Sequence, residues 1–296
     1  MELLDRNGFT EREFLEQYRA GDYERPSVAA DMVVFTVTDK EADDSLKLPD
    51  KELRILLIRR GGHPCLGRWA LPGGFIQPDE TGEQAAAREL YEETGVADVY
   101  LEQLYTVTDP GRDPRTWVMS SSYMALIDSS RFQLQAGDDA EDAAWFTVSY
   151  RLLGEHKELL EEGYVRTFTY ELKLGAGEGE LTAVIDRTVT AKPASRSVTY
   201  SIQSSDGLAF DHGKIIARAI ERLRQETEQT GIALHLMPKL FTLSELQQVY
   251  EVILDKELPE AAFRDKVAGL VAETELYTKN TLQHASRLYR RNWEED

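Results

Sequence analysis

Residues 73–96 read GGFIQPDETGEQAAARELYEETGV, and they place three carboxylates, Glu89, Glu92 and Glu93, within five positions. Good helix formers fill positions 81–94 and a glycine follows them, so this stretch predicts a helix with a defined end. On a helix, side chains three or four positions apart share one face. Like charges at that spacing destabilise an isolated helix by about 0.2–0.5 kcal/mol per pair, so the acidic face requires an explanation.

Two interpretations of this acidic face compete. It is either a solvated helix surface or a site for a hard divalent cation, whose binding turns the repulsion into coordination. Mg²⁺ is typically held by one or a few carboxylates together with substrate phosphates. Arg88 can offset part of the repulsion, but one arginine cannot neutralise three carboxylates.

The flanking residues favour the cation site. The stretch matches the pattern G-x5-E-x7-R-E-U-x-E-E-x-G-U, with U aliphatic, at Gly74, Glu80, Arg88, Glu89, Leu90, Glu92, Glu93, Gly95 and Val96. This pattern is a complete Nudix box, and the chain therefore resembles the Nudix hydrolase superfamily. The resemblance implies an α/β fold, an α/β/α sandwich with a mixed sheet. It also implies metal-dependent attack of water on a nucleoside diphosphate linked to another moiety.

The resemblance further implies roles for single residues. Glu89, Glu92 and Glu93 are expected to bind Mg²⁺ or Mn²⁺. Arg88 is expected to orient a box glutamate through a charge-assisted hydrogen bond, and Glu80 to brace the loop or to reach the metal through water.

The general base is left open by the sequence. It is either a box glutamate or an acid of the loop at 137–142, where Glu141 is the first choice and Asp139 and Asp142 are rivals. A merely solvated loop is an equally good interpretation of this acidic segment.

A proline suggests the substrate. Pro110 lies fifteen residues after Gly95, a spacing that resembles the ADP-ribose pyrophosphatases. We therefore expect ADP-ribose to be cut to AMP and ribose 5-phosphate. Paired glycines permit close approach to phosphate, and an arginine fork suits phosphate or ribose. The expected substrate-binding residues are Arg59, Gly73, Gly74, Arg112 and Asp113.

Bulk properties limit the possible partners. The net charge is −19, which disfavours nucleic-acid binding, although the segment from residue 211 onward is nearly neutral. No apolar run reaches the roughly 18 residues of a membrane span, so we expect no membrane partner. A single cysteine, Cys65, fits the reducing cytoplasm.

The order of predicted elements suggests three parts. Residues 1–27 form an N-terminal arm with a short helix, and residues 28–230 form the Nudix domain. A β-rich insertion is predicted at 149–207, for which a dimer arm is one guess. Residues 231–296 read as helix, helix and hairpin, which is the pattern of a winged-helix module.

A second resemblance covers both ends of the chain. The runs YERPSVAADMVVFTV (23–37), GLAFDHGKIIARAIERLR (207–224) and FTLSELQQVYEVILDKELPEAAFRDKV (241–267) resemble the Nudix-related transcriptional regulators of NAD metabolism. That group implies a homodimer that senses ADP-ribose and binds DNA, with contacts here from Arg264, Lys266, Arg287, Arg290 and Arg291. Such regulators often carry a damaged box, whereas this box is intact. We therefore predict a pyrophosphohydrolase, with the ligand-responsive DNA-binding regulator as the alternative.

Overall fold

A computed structural model describes residues 3–40, 49–131, 143–177, 179–278 and 285–292. The helices are α1 (Glu11–Gln17), α2 (Gly82–Thr94), α3 (His212–Gln229), α4 (Leu243–Leu254) and α5 (Glu260–Val267). The strands are β1 (Ser27–Asp39), β2 (Lys51–Arg59), β3 (Trp69–Ala70), β4 (Gly73–Phe75), β5 (Tyr100–Val107), β6 (Val118–Leu126), β7 (Ala143–Leu160), β8 (Gly163–Ala176), β9 (Gly179–Lys192), β10 (Ser195–Asp206), β11 (Val271–Tyr277) and β12 (Arg287–Arg291).

One large mixed sheet organises the chain. Its order is β10-β9-β8-β7-β2-β1-β6-β5, with β3 paired to β2 and β4 paired to β1. Strands β1 and β6 run parallel, whereas the neighbouring pairs β1–β2 and β2–β7 are antiparallel. The predicted α/β class with a mixed sheet is therefore confirmed.

Both faces of the central strand β1 are buried. Met32 and Val34 belong to the apolar cluster of α2, whereas Val33 and Phe35 belong to the cluster of α3 and α4. Successive side chains of a strand point to opposite faces, so an uninterrupted apolar run requires a helix layer on each side. This burial pattern produces the α/β/α sandwich.

Strands β7 to β10 form one end of the same sheet, next to β2. The sequence predicts β runs at 164–174, 181–191 and 196–203, and β8, β9 and β10 confirm them. Strand β7 extends the predicted strand at 145–148 as far as Leu160, because its outer half pairs residue by residue with β8. That outer half is exposed and carries no apolar alternation, so its sequence gives no strand signal.

Helix α3 packs across this extension. Its Glu221 accepts hydrogen bonds from the hydroxyl groups of Tyr150 on β7 and Tyr200 on β10, at 3.0 and 2.7 Å. Apolar residues of β8 and β9, including Leu172 and Ile185, lie in the same cluster as α3. The extension is thus joined to the Nudix sheet through a shared core.

The C-terminal region has the predicted helix, helix and hairpin order. Thr242 and Glu245 form a reciprocal capping box at the start of α4. Tyr250 of α4 and Phe263 of α5 pack edge to face at 5.3 Å between ring centroids, and β11 pairs with β12 in antiparallel register. The winged-helix prediction is confirmed. Among helices of the described residues, none has the length and apolar character that crossing a membrane requires.

Candidate active site in the Nudix domain

Helix α2 fixes the orientation of the box glutamates. Thr81 caps its N-terminus by accepting a hydrogen bond from the backbone of Gln84, whose side chain accepts one in return from the backbone of Thr81. Gly95 ends the helix in the left-handed conformation, with φ of 69°. Because both ends are fixed, the glutamates of the last two turns are held on one face, as the spacing predicts.

Arg88 binds most of the acidic residues around it. Its guanidinium donates to both carboxylate oxygens of Glu80, at 3.0 and 2.7 Å. Its Nη1 donates to Glu89 at 2.7 Å and to Glu92 at 3.2 Å. The hydrogen bonds from Arg88 lower the pKa of Glu80. This geometry agrees with the positioning role that the resemblance implies for Arg88.

Glu93 differs from its neighbours because it is left largely uncompensated. Its Oε2 is buried and has no hydrogen-bond partner among the described residues, while the carboxylate accepts one bond from the backbone of Gly73. Burial, together with repulsion from Glu89, Glu92 and Asp31, raises the pKa of Glu93 to about 8. A buried carboxylate oxygen without a hydrogen-bond partner in the described part of the chain is costly, and it is a group that could hold a cation.

Two glycines allow the backbone to pass close beside this carboxylate cluster. A Cβ atom on Gly73, whose φ is 151°, would lie 2.2 Å from the carbonyl oxygen of Ala30. A Cβ atom on Gly74 would lie 2.0 Å from Oε1 of Glu89. A side chain at Gly73 would meet fixed backbone, whereas one at Gly74 would have to displace the carboxylate of Glu89, and both glycines line the adjoining cavity.

The donor set fits a hard divalent cation. It consists of carboxylate oxygens, the ligands that Mg²⁺ and Mn²⁺ prefer, and one of them is buried without a partner. In the described part of the chain, no three acidic, histidine or cysteine side chains already surround one point. Arg88 holds one oxygen each of Glu89 and Glu92, at 2.7 and 3.2 Å.

A cavity of about 250 Å³ adjoins the box. It opens between the start of β1, the loop at 110–117 and the start of α3. Its charged and aromatic lining residues are Asp31, Arg60, Phe75, Arg112, Asp113, Arg115, Phe210 and His212. The cavity is therefore more polar and more charged than a typical apolar ligand pocket.

Arg112 lies in the wall of this cavity, but its charge is already paired. Only 5% of its side chain is exposed, and it contacts Asp31 at 3.4 Å and Asp211 at 2.8 Å. Asp113 is likewise buried, and the guanidinium of Arg115 donates to both of its oxygens. The two expected substrate-binding residues thus reach the cavity mainly as parts of ion pairs.

Arg59 and Arg60 point to different places. Arg59 donates to the carbonyl of Gly67 at 3.4 Å and is not among the cavity-lining residues, whereas Arg60 is. Arg59 is the last residue of β2, and Arg60 begins the loop that follows it, where its side chain reaches the cavity. The substrate-binding role expected for Arg59 remains a prediction without a cavity contact to support it.

Sequence reasoning missed several residues at the cavity, namely Asp31, Arg60, Phe75, Arg115 and Phe210 in its lining and Asp211, which pairs with Arg112. Asp31 interrupts an apolar strand, which is a usable signal, and it accepts a hydrogen bond from Ser120 at 2.5 Å. Asp211 and Phe210 give no comparable signal. His212 accepts a hydrogen bond from the backbone of Leu71 at 2.9 Å, and burial lowers its pKa. It is therefore a neutral packing residue. The proposed bases Asp139, Glu141 and Asp142 lie outside the described residues.

The basic residues of the winged helix make intramolecular contacts. Arg264 pairs with Glu260 at 2.7 Å, and Lys266 donates to the carbonyl of Glu228. Arg287 pairs with Glu273 and hydrogen-bonds to Tyr277, Arg291 lies 2.8 Å from a ring nitrogen of His235, and Arg290 is exposed on β12. Their role in binding DNA remains a prediction.

The fold and the box define a Nudix protein with an appended winged helix. Residues 40–164 match the NUDIX domain, and residues 233–291 match the NrtR DNA-binding winged helix domain. Over 288 residues the chain is 32% identical to the ADPR responsive transcriptional repressor NtrR of Acinetobacter baylyi, covering 96% of this chain and 89% of that protein. The chain belongs to this family, in which a Nudix domain is joined to an NrtR winged helix.

Of two further similar proteins, the first matches about half of the chain and the second matches nearly all of it. The ADP-ribose pyrophosphatase of Methanocaldococcus jannaschii is 34% identical over 154 residues, covering 51% of this chain and 79% of that protein. A MutT/nudix family protein from Enterococcus faecalis superposes with a TM-score of 0.69 at 31% identity. The superposition covers 96% of this chain and 94% of that one.

Proposed function

We propose that the Nudix domain hydrolyses the diphosphate of ADP-ribose or a closely related nucleoside diphosphate derivative, with Mg²⁺ or Mn²⁺. The observation that carries this proposal is the buried carboxylate oxygen of Glu93, which has no hydrogen-bond partner among the residues that the structure describes and lies beside the glycine-lined cavity. A fold retains an uncompensated buried acid at a cost, and a bound cation removes that cost.

The residues of the box would divide the work. Glu89, Glu92 and Glu93 would hold the metal, while Arg88 and Glu80 keep the helix face and the loop in register. The bound ion would neutralise the diphosphate and lower the pKa of the attacking water. Positioning of the diphosphate against these carboxylates then supplies much of the rate.

The general base remains a choice between a box glutamate and the acidic loop. Glu141 is our first choice for a loop residue. Glu141→Gln distinguishes these possibilities, because a true base loses kcat while the binding of substrate and metal is retained. Comparable losses for Asp139→Asn or Asp142→Asn would move the assignment within the loop.

The activity is tested by incubating the full chain with Mg²⁺ and a panel of ADP-ribose, NADH, dinucleoside polyphosphates and nucleotide sugars. We expect AMP and ribose 5-phosphate from ADP-ribose, and chelation by EDTA to abolish turnover. Glu93→Gln protein serves as the blank for contaminating hydrolases. Failure to cleave any of these compounds with either metal would overturn the proposed hydrolysis.

A second function, ligand-responsive binding of DNA, is favoured by the winged helix and by the full-length similarity to a transcriptional repressor. Helix α3 provides a physical connection between the two domains. Its N-cap residue Asp211 pairs with Arg112 at the cavity, and Arg224 in its last turns donates to the carbonyl of Ile253 of α4 at 3.0 Å. Lys266 of α5 contacts the end of the same helix at Glu228.

This second function predicts that ADP-ribose changes the affinity for DNA, and that DNA changes the affinity for ADP-ribose by the same factor. Fluorescence anisotropy of the full chain on its own upstream DNA, with and without ADP-ribose, measures the coupling. The molar mass of the free chain and of the complex tests the proposed homodimer. If the chain does not bind DNA even at low salt but hydrolyses ADP-ribose efficiently, hydrolysis is its sole function of the two proposed. Tight binding of DNA that responds to ADP-ribose would make regulation the main function, with hydrolysis serving to remove the ADP-ribose signal.

A further inference from the structure

Three arginines line the cavity beside the box, and two of them are already neutralised. Arg112 is paired with Asp31 and Asp211, and Arg115 with Asp113. Arg60 is different, because among the described residues no carboxylate lies within ion-pair distance of it. An anionic ligand entering this cavity gains most from the charge that no protein carboxylate compensates.

Contacts on two sides hold the guanidinium of Arg60 in place. Its Nε donates to the carbonyl oxygen of Pro64 at 2.8 Å. Its plane lies over the ring of Phe210, with 4.9 Å between the guanidinium carbon and the ring centroid. Within the described residues, its two terminal nitrogens have no hydrogen-bond partner. A fork held in this way loses little side-chain freedom when it binds an anion.

Phe210, whose ring lies against Arg60, has an unusual backbone conformation. Phe210 has a φ of 49°, in the left-handed region that bulky side chains rarely adopt. The next residue is Asp211, which pairs with Arg112 and precedes α3. Such backbone strain is costly, and it occurs preferentially at ligand sites. Here it places an aromatic ring directly against Arg60.

We propose that Arg60 binds the diphosphate of the nucleotide ligand in this cavity. Gly73 and Gly74 line the same cavity and touch Glu93 and Glu89, respectively. One phosphate would therefore face the carboxylate-bound cation while the Arg60 fork contacts non-bridging oxygens of the diphosphate. This inference rests on the proposed function, and it selects Arg60 rather than Arg59 or Arg112 as the anion-binding arginine.

The test is calorimetric titration of the full chain with ADP-ribose, ADP and adenosine, in EDTA and again with Ca²⁺ to limit turnover. We expect Arg60→Ala to weaken ADP-ribose and ADP by about 10- to 100-fold, the usual effect of removing a charged hydrogen-bond donor. Adenosine, which has no phosphate, should bind equally to both proteins. The affinity of Arg60→Lys for ADP-ribose and ADP should lie between those of the wild type and of Arg60→Ala, because lysine keeps the charge but lacks the planar fork of the guanidinium.

Control variants separate charge from position. Arg151→Ala removes one exposed positive charge from β7, outside the cavity lining, and should change no dissociation constant. Arg59→Ala should have a much smaller effect than Arg60→Ala. Thermal melting of each variant checks that it is folded, and Arg60→Gln replaces Arg60→Ala if loss of the stack on Phe210 unfolds the protein.

Several results would overturn the assignment. One is an unchanged affinity of Arg60→Ala for ADP-ribose, and another is an equal loss for Arg59→Ala. A parallel loss of adenosine affinity would mean that Arg60 contacts the base instead of the diphosphate. If the wild-type chain does not bind ADP-ribose with or without metal, the proposed substrate is wrong as well. If the wild-type chain binds ADP-ribose and Arg60→Ala binds it equally well, only the assignment of Arg60 is wrong.

Discussion

The acidic face of α2 and the basic residues of the winged helix have opposite charges, and the fold balances them differently. On α2, Arg88 binds Glu89 and Glu92, but Glu93 retains a buried oxygen without a partner in the described structure. In the winged helix, Arg264 is bound to a carboxylate, and Lys266 to a backbone carbonyl. The acidic face of α2 therefore keeps an uncompensated carboxylate oxygen, whereas several basic residues of the winged helix are already paired within the protein.

This difference indicates what each region requires of its ligand. A cation that binds at Glu93 removes an existing penalty, so its binding should also stabilise the fold. DNA must compete with interactions that already exist, such as the Arg264–Glu260 pair. We therefore expect a firm metal site and salt-sensitive DNA binding, and the following measurements test that contrast.

The largest effect is expected for Glu93→Gln, which removes one charged oxygen and changes little volume. We expect ADP-ribose hydrolysis at saturating Mg²⁺ to fall on the order of 10³-fold. Above about pH 8, where the buried Glu93 carboxylate is charged, the metal-free variant should melt at a higher temperature than the wild type; at neutral pH, where folded Glu93 keeps its proton, the two should melt at similar temperatures. Glu83→Gln, at an exposed position of the same helix, is the matched control. A near-wild-type rate for Glu93→Gln would remove Glu93 from the metal site.

Arg112→Ala should primarily affect stability. It leaves Asp31 buried without its counter-charge and Asp211 with Lys214 alone, at 3.4 Å, and breaking a buried pair typically costs about 3–5 kcal/mol. Denaturant unfolding measures this destabilisation, and the folded fraction must be known before any rise in KM is assigned to weaker substrate binding. Arg151→Ala, which breaks an exposed pair, should cost no more than about 1 kcal/mol. Similar unfolding free energies for both variants would show that the buried network contributes no net stability.

The stability of the metal-free protein should decrease as pH rises. Burial raises the pKa of Glu93 from 4.5 to about 8, so between these values the folded state keeps a proton that the unfolded state has released. The free energy of unfolding should then fall with pH by at most about 1.4 kcal/mol per unit, with the contribution fully gone above about pH 8. Urea unfolding in EDTA measures this slope. Glu93→Gln or saturating Mg²⁺ should flatten it, and an unchanged slope in the variant would assign the titration to another group.

The smallest effect concerns the wing. Replacing Arg287, Arg290 and Arg291 together with alanine should weaken DNA binding across sequences. It should also make the negative slope of log K against log salt less steep, by about 0.9 for each DNA phosphate that loses its basic partner. Anisotropy titrations at several salt concentrations measure both quantities. The charge-matched control replaces exposed basic residues of the β7–β10 extension, namely Arg151, Lys192 and Arg196. An equal change in that control would mean that overall charge, and not the wing, governs binding.

Local sequence determined the helix of the box and its acidic face. The cap at Thr81, the stop at Gly95 and the three- and four-residue spacings act over one or two turns, so they need no tertiary information. The same holds for the helix, helix and hairpin order of the winged helix, where Thr242 caps α4. The ADP-ribose class of ligand was suggested by the resemblance and one proline, and not by geometry.

Only the tertiary structure decided how charge is shared in the cavity. Arg112 meets Asp31 and Asp211, which lie 81 and 99 positions away along the chain, and no local pattern encodes such pairings. The direction of Arg60, just after the end of β2, is set by its contacts with Pro64 and with Phe210, which lies 150 positions away along the chain. The exposed outer half of β7 is a strand because β8 pairs with it, and its own residues carry no signal. Helix propensity and box spacing are local properties, whereas charge compensation and strand pairing arise only when distant segments meet.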